Sequence, residues 1–573
     1  MDFIKKQKWE VPLYIIAAGL PLIIYFHVHH TGMESLPWFP NQKIWTDFFL
    51  YGKSKCVHFT ALGMSLFLII GAVKKKNIKF DREWFWILLL GVLQLVSAFV
   101  SLAPQQSFLG GMEQYESVWV LTGYLVIGAY AYQQTVKSAN PQYLIYALFM
   151  GAFLSCLLGI TQLFQNDFWE SGIGKRLLVP ESYKELRESL RFNFSQGSWK
   201  PVYLVSYNPN YAGIYLLMLL PCMVLCEKKY AGILCILAAI CMVGTLSKTV
   251  LFSAVVLAVM GMVLFGAVMN KKWKRRSKMI GIFLMLFAVL FAVYEKKTDS
   301  FEYKNKLQRV ICNEDYVKIV FQGERILMRD IPLEEGGVTY EIIYEDGSLV
   351  NLLWNEASGE MDPQEDKLQG LHFKVYEKNN ISYIMFRYGD IPFRFTKSTE
   401  IGTYEYVSIN GKLDELQDAP KIFGGFEGMI SGRGYIWSRT LPVIIDNPWF
   451  GTGPDTFVLA FPQDDYVVRS NLGHTFFTQI LTNAHSLYLH MAEQTGIPSL
   501  VCFLIFVGIY LKKSWKLYFG KTSYSEIEKI GAGIFLGIIG YMLCGLTFAS
   551  SVCTTPIFWL LLGTGIGINR KLV

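Results

Sequence analysis

The chain has 573 residues, 52% of them hydrophobic and only 17% charged, where soluble domains carry roughly 25% charged residues; an ordinary soluble enzyme is excluded. The formal charge is +7, but the basic residues gather at the ends of apolar runs, which speaks for a lipid bilayer and against nucleic acid as a partner. Aromatic residues make up 15%, in keeping with belts of Trp and Tyr at membrane interfaces.

A bilayer core of about 30 Å needs roughly 20 apolar residues in a helix. Lys5, Lys6 and Lys8 look like the basic start of a signal peptide, but no small-residue cleavage site follows, so the first apolar run is expected to stay as an uncleaved helix. Runs of suitable length lie near 11–29, 56–73, 84–103, 116–133, 142–164, 208–226, 229–247, 249–269 and 279–295, then near 484–511, 529–548 and 551–568. The expected fold is therefore an α-helical polytopic membrane protein of about twelve transmembrane helices. Its strong basic clusters are Lys5–Lys8, Lys74–Lys76, Lys228–Lys229, Lys271–Arg276, Lys512–Lys516 and Arg570–Lys571. All of them fall at even boundaries or at a terminus. Under the positive-inside rule this multi-pass chain has both termini in the cytoplasm.

Asn208-Pro209-Asn210 opens the sixth run. Asparagine caps helices and proline suits the first helical position; the same residues also bring amide donors to the outer face. Lys248 stands at an outer helix junction, where the charge rule disfavours cations. It is either a lysine snorkelling to the interface or a cation aimed at an anionic group in an external cavity.

The long outer stretch 296–483 has two parts. From 296 to 425 an extracytoplasmic β-rich insert is expected, with alternating runs such as Val338–Tyr344 and hairpin signals at Asp346-Gly347 and Asn410-Gly411. From 426 to 483 the chain is apolar but broken by Gly and Pro, as in Trp449–Pro454, and short interfacial or re-entrant helices are expected. Residues 1–295 and 484–573 hold the N- and C-terminal transmembrane helices.

In the segment Ser431–Arg439, Arg433 and Arg439 carry planar forks of donors suited to phosphate. Lipid-headgroup anchoring competes with that role, more for Arg439 than for Arg433, whose glycine neighbours allow close approach. His485 opens the tenth run. It is either a hydrogen-bonded structural residue or a general base, for which imidazole is suited near neutral pH. His490 lies five positions on, about 140° around a helix, so the two are not expected to serve one site; His474 is a weaker candidate. The ten cysteines sit mostly in apolar runs, and no His/Cys grouping has metal-ligand spacing. Neither a disulfide at Cys312 nor a structural metal is expected.

Together these stretches resemble the O-antigen ligase and O-antigen polymerase family of bacterial membrane glycosyltransferases. The ligase signature is His, then Asn, Ser or Gln, nine residues, Gly, two residues, Gly; His485-Ser486, Gly496 and Ser499 match all but the last position. Ser431–Trp437 and Asp446–Pro454 resemble the family's outer loop, Tyr207–Gly213 its Asn-Pro-Asn helix opening, and Ser247-Lys248 its Ser-Arg pair. The β insert followed by Phe461–Tyr466 is similar to a subgroup from Gram-positive bacteria.

The resemblance implies a cofactor-free and metal-independent enzyme in the bacterial plasma membrane. It would move a glycan from an undecaprenyl-diphosphate carrier to a hydroxyl of a glycan or cell-wall acceptor. Arg433 and Lys248, with Arg439 secondary, would stabilise charge on the leaving diphosphate; His485 would take the acceptor's proton, and Asn208 and Asn210 would bind substrate. For a Gram-positive member, polymerisation or attachment of a wall polymer fits better than transfer to a lipopolysaccharide core. The rivals are a transporter or flippase of lipid-linked sugars, which would favour an internal repeat and polar residues at mid-membrane, and a sensor, which would need a cytoplasmic output domain. The sequence displays neither pattern.

Overall fold

The computed structural model describes residues 9–74, 80–192, 194, 199–266, 306–332, 338–379, 381–398 and 402–573. The run near 279–295, the junction at 296 and the clusters Lys5–Lys8 and Lys271–Arg276 lie outside these residues.

Among the described residues four helices are long and apolar enough to cross a membrane: Tyr51–Val73, Gln142–Leu163, Ile497–Tyr518 and Glu526–Cys544. At 1.5 Å per residue, a helix of about 20 residues matches the hydrocarbon thickness. Five shorter apolar helices stand beside them, Val11–Leu22, Trp84–Phe99, Pro209–Leu225, Lys229–Gly244 and Lys248–Leu264. Val118–Lys137 and Thr555–Leu572 also belong to the bundle and pack on each other.

Two runs differ from expectation. The first is helical only to Leu22, because Pro21 lacks the N–H that would continue the ladder and Ile23 turns extended. The chain then forms a hairpin, β1 (His27–His30) paired with β2 (Ile44–Asp47). The run near 484–511 is not one helix but two, Leu487–Thr495 and Ile497–Tyr518, broken at Gly496.

Between the helices stands an antiparallel β region. A four-stranded sheet runs β3 (Leu307–Cys312), β4 (Val317–Phe321), β5 (Glu324–Pro332) and β6 (Val338–Tyr344) in chain order. A seven-stranded meander follows from β7 (Leu352–Asn355) to β13 (Leu413–Asp414). Alternation drives both sheets: Val317, Ile319 and Phe321 point inward along β4 and meet Phe373, Phe386, Phe393 and Phe395 in one core. The expected turns are present, with Gly347 and Gly411 both left-handed.

This region is fastened to two other parts of the chain. Lys412 Nζ donates to the carbonyls of Glu34 (2.5 Å), Leu36 (3.0 Å) and Phe39 (2.9 Å), using all three of its donors. Asn471 accepts from Lys306 N and Leu307 N and donates to Leu307 O. The segment 426–483 folds as Met429–Asp446 and three short helices, Phe457–Ala460, Tyr466–Ser470 and His474–Thr478.

Candidate active site

The candidate residues stand at or next to helix ends. Gln162 fixes one wall: its Oε1 accepts from Tyr203 N (3.0 Å) and Leu204 N (2.8 Å), and its Nε2 donates to Leu204 O (2.9 Å). Lys53, itself buried, donates to Ile23 O and Val205 O (2.9 Å). These bonds hold the chain that leads into Asn208. Asn208 Oδ1 caps the helix Pro209–Leu225, accepting from Asn210 N and Asn210 Nδ2, both at 2.9 Å, with Pro209 in the first turn.

The helix Lys248–Leu264 begins without a side-chain cap, and Ser247 Oγ is buried without a hydrogen-bond partner. The exposed Lys248 stands in the first turn, where a cation adds to the positive end of the helix dipole rather than offsetting it. An uncapped N-terminus joined to an ammonium group is a favourable place for an anion.

Arg433 comes to the same spot from another element. In Met429–Asp446, residues Ile430, Ser431 and Gly432 are left-handed (φ 51°, 55° and 84°), so the regular helix starts at Arg433. A Cβ at Gly432 would collide with the Phe476 ring, and one at Gly434 with the Phe426 carbonyl. The two glycines therefore seat the segment against its neighbours and leave Arg433 between them. Arg433 Nε donates to Thr547 O (3.0 Å), Nη1 donates to Ile430 O (3.1 Å), and the guanidinium lies 5.0 Å from the Phe548 ring. Among the described residues it has no carboxylate partner. Thr547 also reaches Thr249, the neighbour of Lys248, with their hydroxyls 3.1 Å apart. Burial pulls the Arg433 guanidinium below its ordinary value, opposed by the Tyr211 hydroxyl.

His485 lies in the loop before Leu487–Thr495, outside every helix of membrane-crossing length. Its backbone is left-handed (φ 46°) and its N–H donates to Asn483 Oδ1 at 2.9 Å. Such a conformation is uncommon away from glycine and persists only where the surroundings enforce it. Here Ser486 Oγ caps the following helix, and Leu487 N donates to Gly545 O (2.8 Å), two residues before Thr547. Burial pushes the imidazole down to about 3, with the Arg433 charge a further cause.

The spacing from His485 to Gly496 has a structural reason. Gly496 (φ 87°) ends the short helix, and a Cβ there would collide with the Trp449 carbonyl. The loop Asn447–Pro454 docks into the break: Ile497 N donates to Pro448 O (2.8 Å), Thr452 N to Glu493 O (2.8 Å) and Gly453 N to Gln494 O (2.9 Å). Gly496→Ala is expected to cost about 1–3 kcal/mol through strain at this position, read as a lower melting temperature of the detergent-purified protein. Wild-type melting would show that the break tolerates a side chain.

Arg439 belongs elsewhere. Its guanidinium is fully buried, pairs with Glu427 Oε1 (3.1 Å) and Asp465 Oδ2 (3.0 Å), and lies 4.7 Å from the Tyr435 ring. It faces the interior of the 426–483 segment and not Arg433. His490 is buried against Gln494 (2.9 Å), and His474 stands exposed at the head of a short helix. Arg433, Thr249 beside Lys248, Leu487 just after His485, and Tyr211 in the helix that Asn208 caps all contact the turn Gly545–Phe548. Sequence reasoning missed Thr547, Phe548, Tyr211 and Thr249, which join them; a backbone carbonyl such as Thr547 O carries no signal in sequence. All ten cysteines are free. Among the described residues no group of three His, Cys, Asp or Glu side chains is placed to hold a metal ion.

Comparison with protein families matches residues 233–504 to the family described as O-Antigen ligase. No curated protein matches the sequence. The matched region contains Lys248, Arg433 and His485, together with the whole described β region. The match over these residues implies an enzyme of lipid-linked glycan transfer in cell-envelope polysaccharide synthesis, in accord with the apolar membrane-length helices. The chain carries an O-antigen ligase family domain over residues 233–504.

Proposed function

We propose that the chain transfers a glycan from an undecaprenyl-diphosphate carrier to an acceptor hydroxyl, as a polymerase or ligase of envelope glycans. The observation that carries this reading is Arg433: a half-buried guanidinium with no carboxylate partner among the described residues, beside His485 and one turn of chain from the uncapped helix headed by Lys248. As the bond to the carrier breaks, negative charge gathers on the diphosphate, and preorganised cations lower the energy of that state. Arg433 and Lys248 take this role without a metal. Asn208 and Asn210 contribute amides to the wall of the site. His485 accepts the proton of the attacking hydroxyl. Arg439, held by two carboxylates, stabilises the loop that presents Arg433.

The alternating charges favour about twelve spans in a bacterial plasma membrane, with both termini cytoplasmic and the site on the outer face. A lipid-borne donor then reaches the site laterally, and a glycan or wall acceptor reaches it from outside.

The test is transfer by the purified protein from an undecaprenyl-diphosphate-linked oligosaccharide, followed by product size. Lys248→Arg is expected to keep most of the activity, whereas Lys248→Met loses about 10²-fold or more, the scale of losing one oxyanion-stabilising group. Equal loss in both variants would count against a charge role. No turnover of the lipid-linked donor by wild type would overturn the reading.

A further inference from the structure

Besides the cations, a different chemistry is tied to the His485 loop through Thr482. Three residues before His485, Thr482 donates its hydroxyl to Glu113 Oε2 at 2.8 Å. Glu113 and its neighbour Tyr115 are both left-handed (φ 66° and 53°), so packing holds this loop in a conformation that non-glycine residues rarely adopt. Glu113 is partly exposed, and its Oε1 makes no hydrogen bond among the described residues. Tyr207, next to Asn208, lies close by: the Glu113 charge is the largest influence raising its hydroxyl.

Beyond Glu113 the surface turns aromatic. The Tyr115 ring lies edge-on to Tyr51 (5.5 Å), His27 (6.0 Å) and His29 (5.6 Å), and His27 stacks on Tyr51 at 3.4 Å. The Tyr115 hydroxyl is buried without a hydrogen-bond partner, while His27, His29 and Tyr51 remain partly exposed. Asp47, at the end of β2, adds a second carboxylate that caps the helix carrying Tyr51.

Carboxylates repel a diphosphate but accept hydrogen bonds from sugar hydroxyls, and ring faces stack on the C–H faces of sugars. In a single displacement at the anomeric carbon the incoming hydroxyl approaches opposite the leaving group. The Glu113 cluster, with its carboxylates and its tie to the His485 loop through Thr482, suits the incoming hydroxyl rather than the diphosphate. We propose that Glu113, Tyr207 and the rings of His27 and Tyr51, backed by the buried Tyr115, form the subsite that binds the acceptor sugar, with Glu113 orienting the attacking hydroxyl toward His485. The inference rests on the transfer reading above. In the step, the hydroxyl proton passes to the His485 imidazole and the oxygen forms a bond to the anomeric carbon. The bond from that carbon to the diphosphate oxygen breaks, and its electron pair remains on the diphosphate. The subsite residues all lie outside the family-matched residues 233–504, so this acceptor site belongs to the part of the chain that the shared domain does not cover.

The experiment uses the full chain in nanodiscs, an undecaprenyl-diphosphate-linked oligosaccharide as donor and the soluble oligosaccharide of the same repeat as acceptor. Glu113→Gln is expected to raise KM for the acceptor about tenfold, the scale of one charge-assisted hydrogen bond, with KM for the donor unchanged; Tyr51→Leu should do the same. A rise in donor KM, or no change in either constant, overturns the subsite. Titration calorimetry of the soluble oligosaccharide into His485→Ala protein gives a second readout that needs no turnover. About tenfold weaker binding on adding Glu113→Gln supports the subsite, and absence of binding, or binding indifferent to Glu113, overturns it. Oligosaccharide binding that depends on Glu113 in a protein that never consumes the donor would sink the transfer reading and leave the subsite standing. Tyr207→Phe, which keeps the ring, guards against misfolding: it should share the acceptor effect while melting like wild type.

Discussion

Replacing His485 with glutamine is expected to lower kcat by about 10²–10⁴, the usual contribution of a positioned general base, while leaving the amount of protein in the membrane unchanged. The left-handed backbone and the N–H bond to Asn483 belong to the main chain, so the substitution changes the side chain while leaving that hydrogen bond available. The pH dependence supplies a second check. Burial and the Arg433 charge depress the imidazole to about 3, so the free ring loses its ability to accept a proton only as pH falls toward that value. The wild-type kcat/KM profile should therefore lack an acid limb near 6.5 that disappears in the His485 variant. Such a limb would mean that the ring is solvated. Full activity in His485→Gln would remove it from the mechanism.

The second large effect is expected at Arg439 and is one of stability. Alanine there leaves Glu427 and Asp465 buried with their charges uncompensated, a change that costs about 3–5 kcal/mol. Thermal melts in detergent should show a marked drop for Arg439→Ala. Arg433→Ala, which strands no buried carboxylate, should melt near wild type yet transfer little or nothing. An Arg439→Ala protein with wild-type melting and a selective loss of turnover would give that guanidinium back to the substrate. The contrast separates two arginines six residues apart on one helix: the sequence motif contains both, and only the positions of Glu427 and Asp465 distinguish them.

Much of the architecture was readable because it follows from local physics. Several apolar helices, four of them of membrane length among the described residues, the strand Val338–Tyr344 and the turns at Gly347 and Gly411 lie at or near their expected places. Lys248, Arg433, His485 and Asn208 stood out because each is a polar group at the edge of an apolar run. What could not be read depends on distant partners. The strand His27–His30 continues an apolar stretch, and only its pairing with Ile44–Asp47 makes it β rather than helix. The break at Gly496 is set by Trp449, nearly fifty positions earlier in the chain. Glu113 gains its interest from Thr482 and Tyr207, two segments remote from it in sequence.

The fastening of Lys412 to the carbonyls of Glu34, Leu36 and Phe39 has a consequence for biogenesis. These groups are separated by as many as 378 positions, so the loop after the first helix is made early and completed late. During synthesis its three carbonyls stay without this lysine until the last β hairpin has been made and folded. A nascent chain halted before that hairpin would contain every helix up to Lys248–Leu264 and still lack a finished N-terminal loop. Maturation of the first loop thereby waits for the insert's last hairpin.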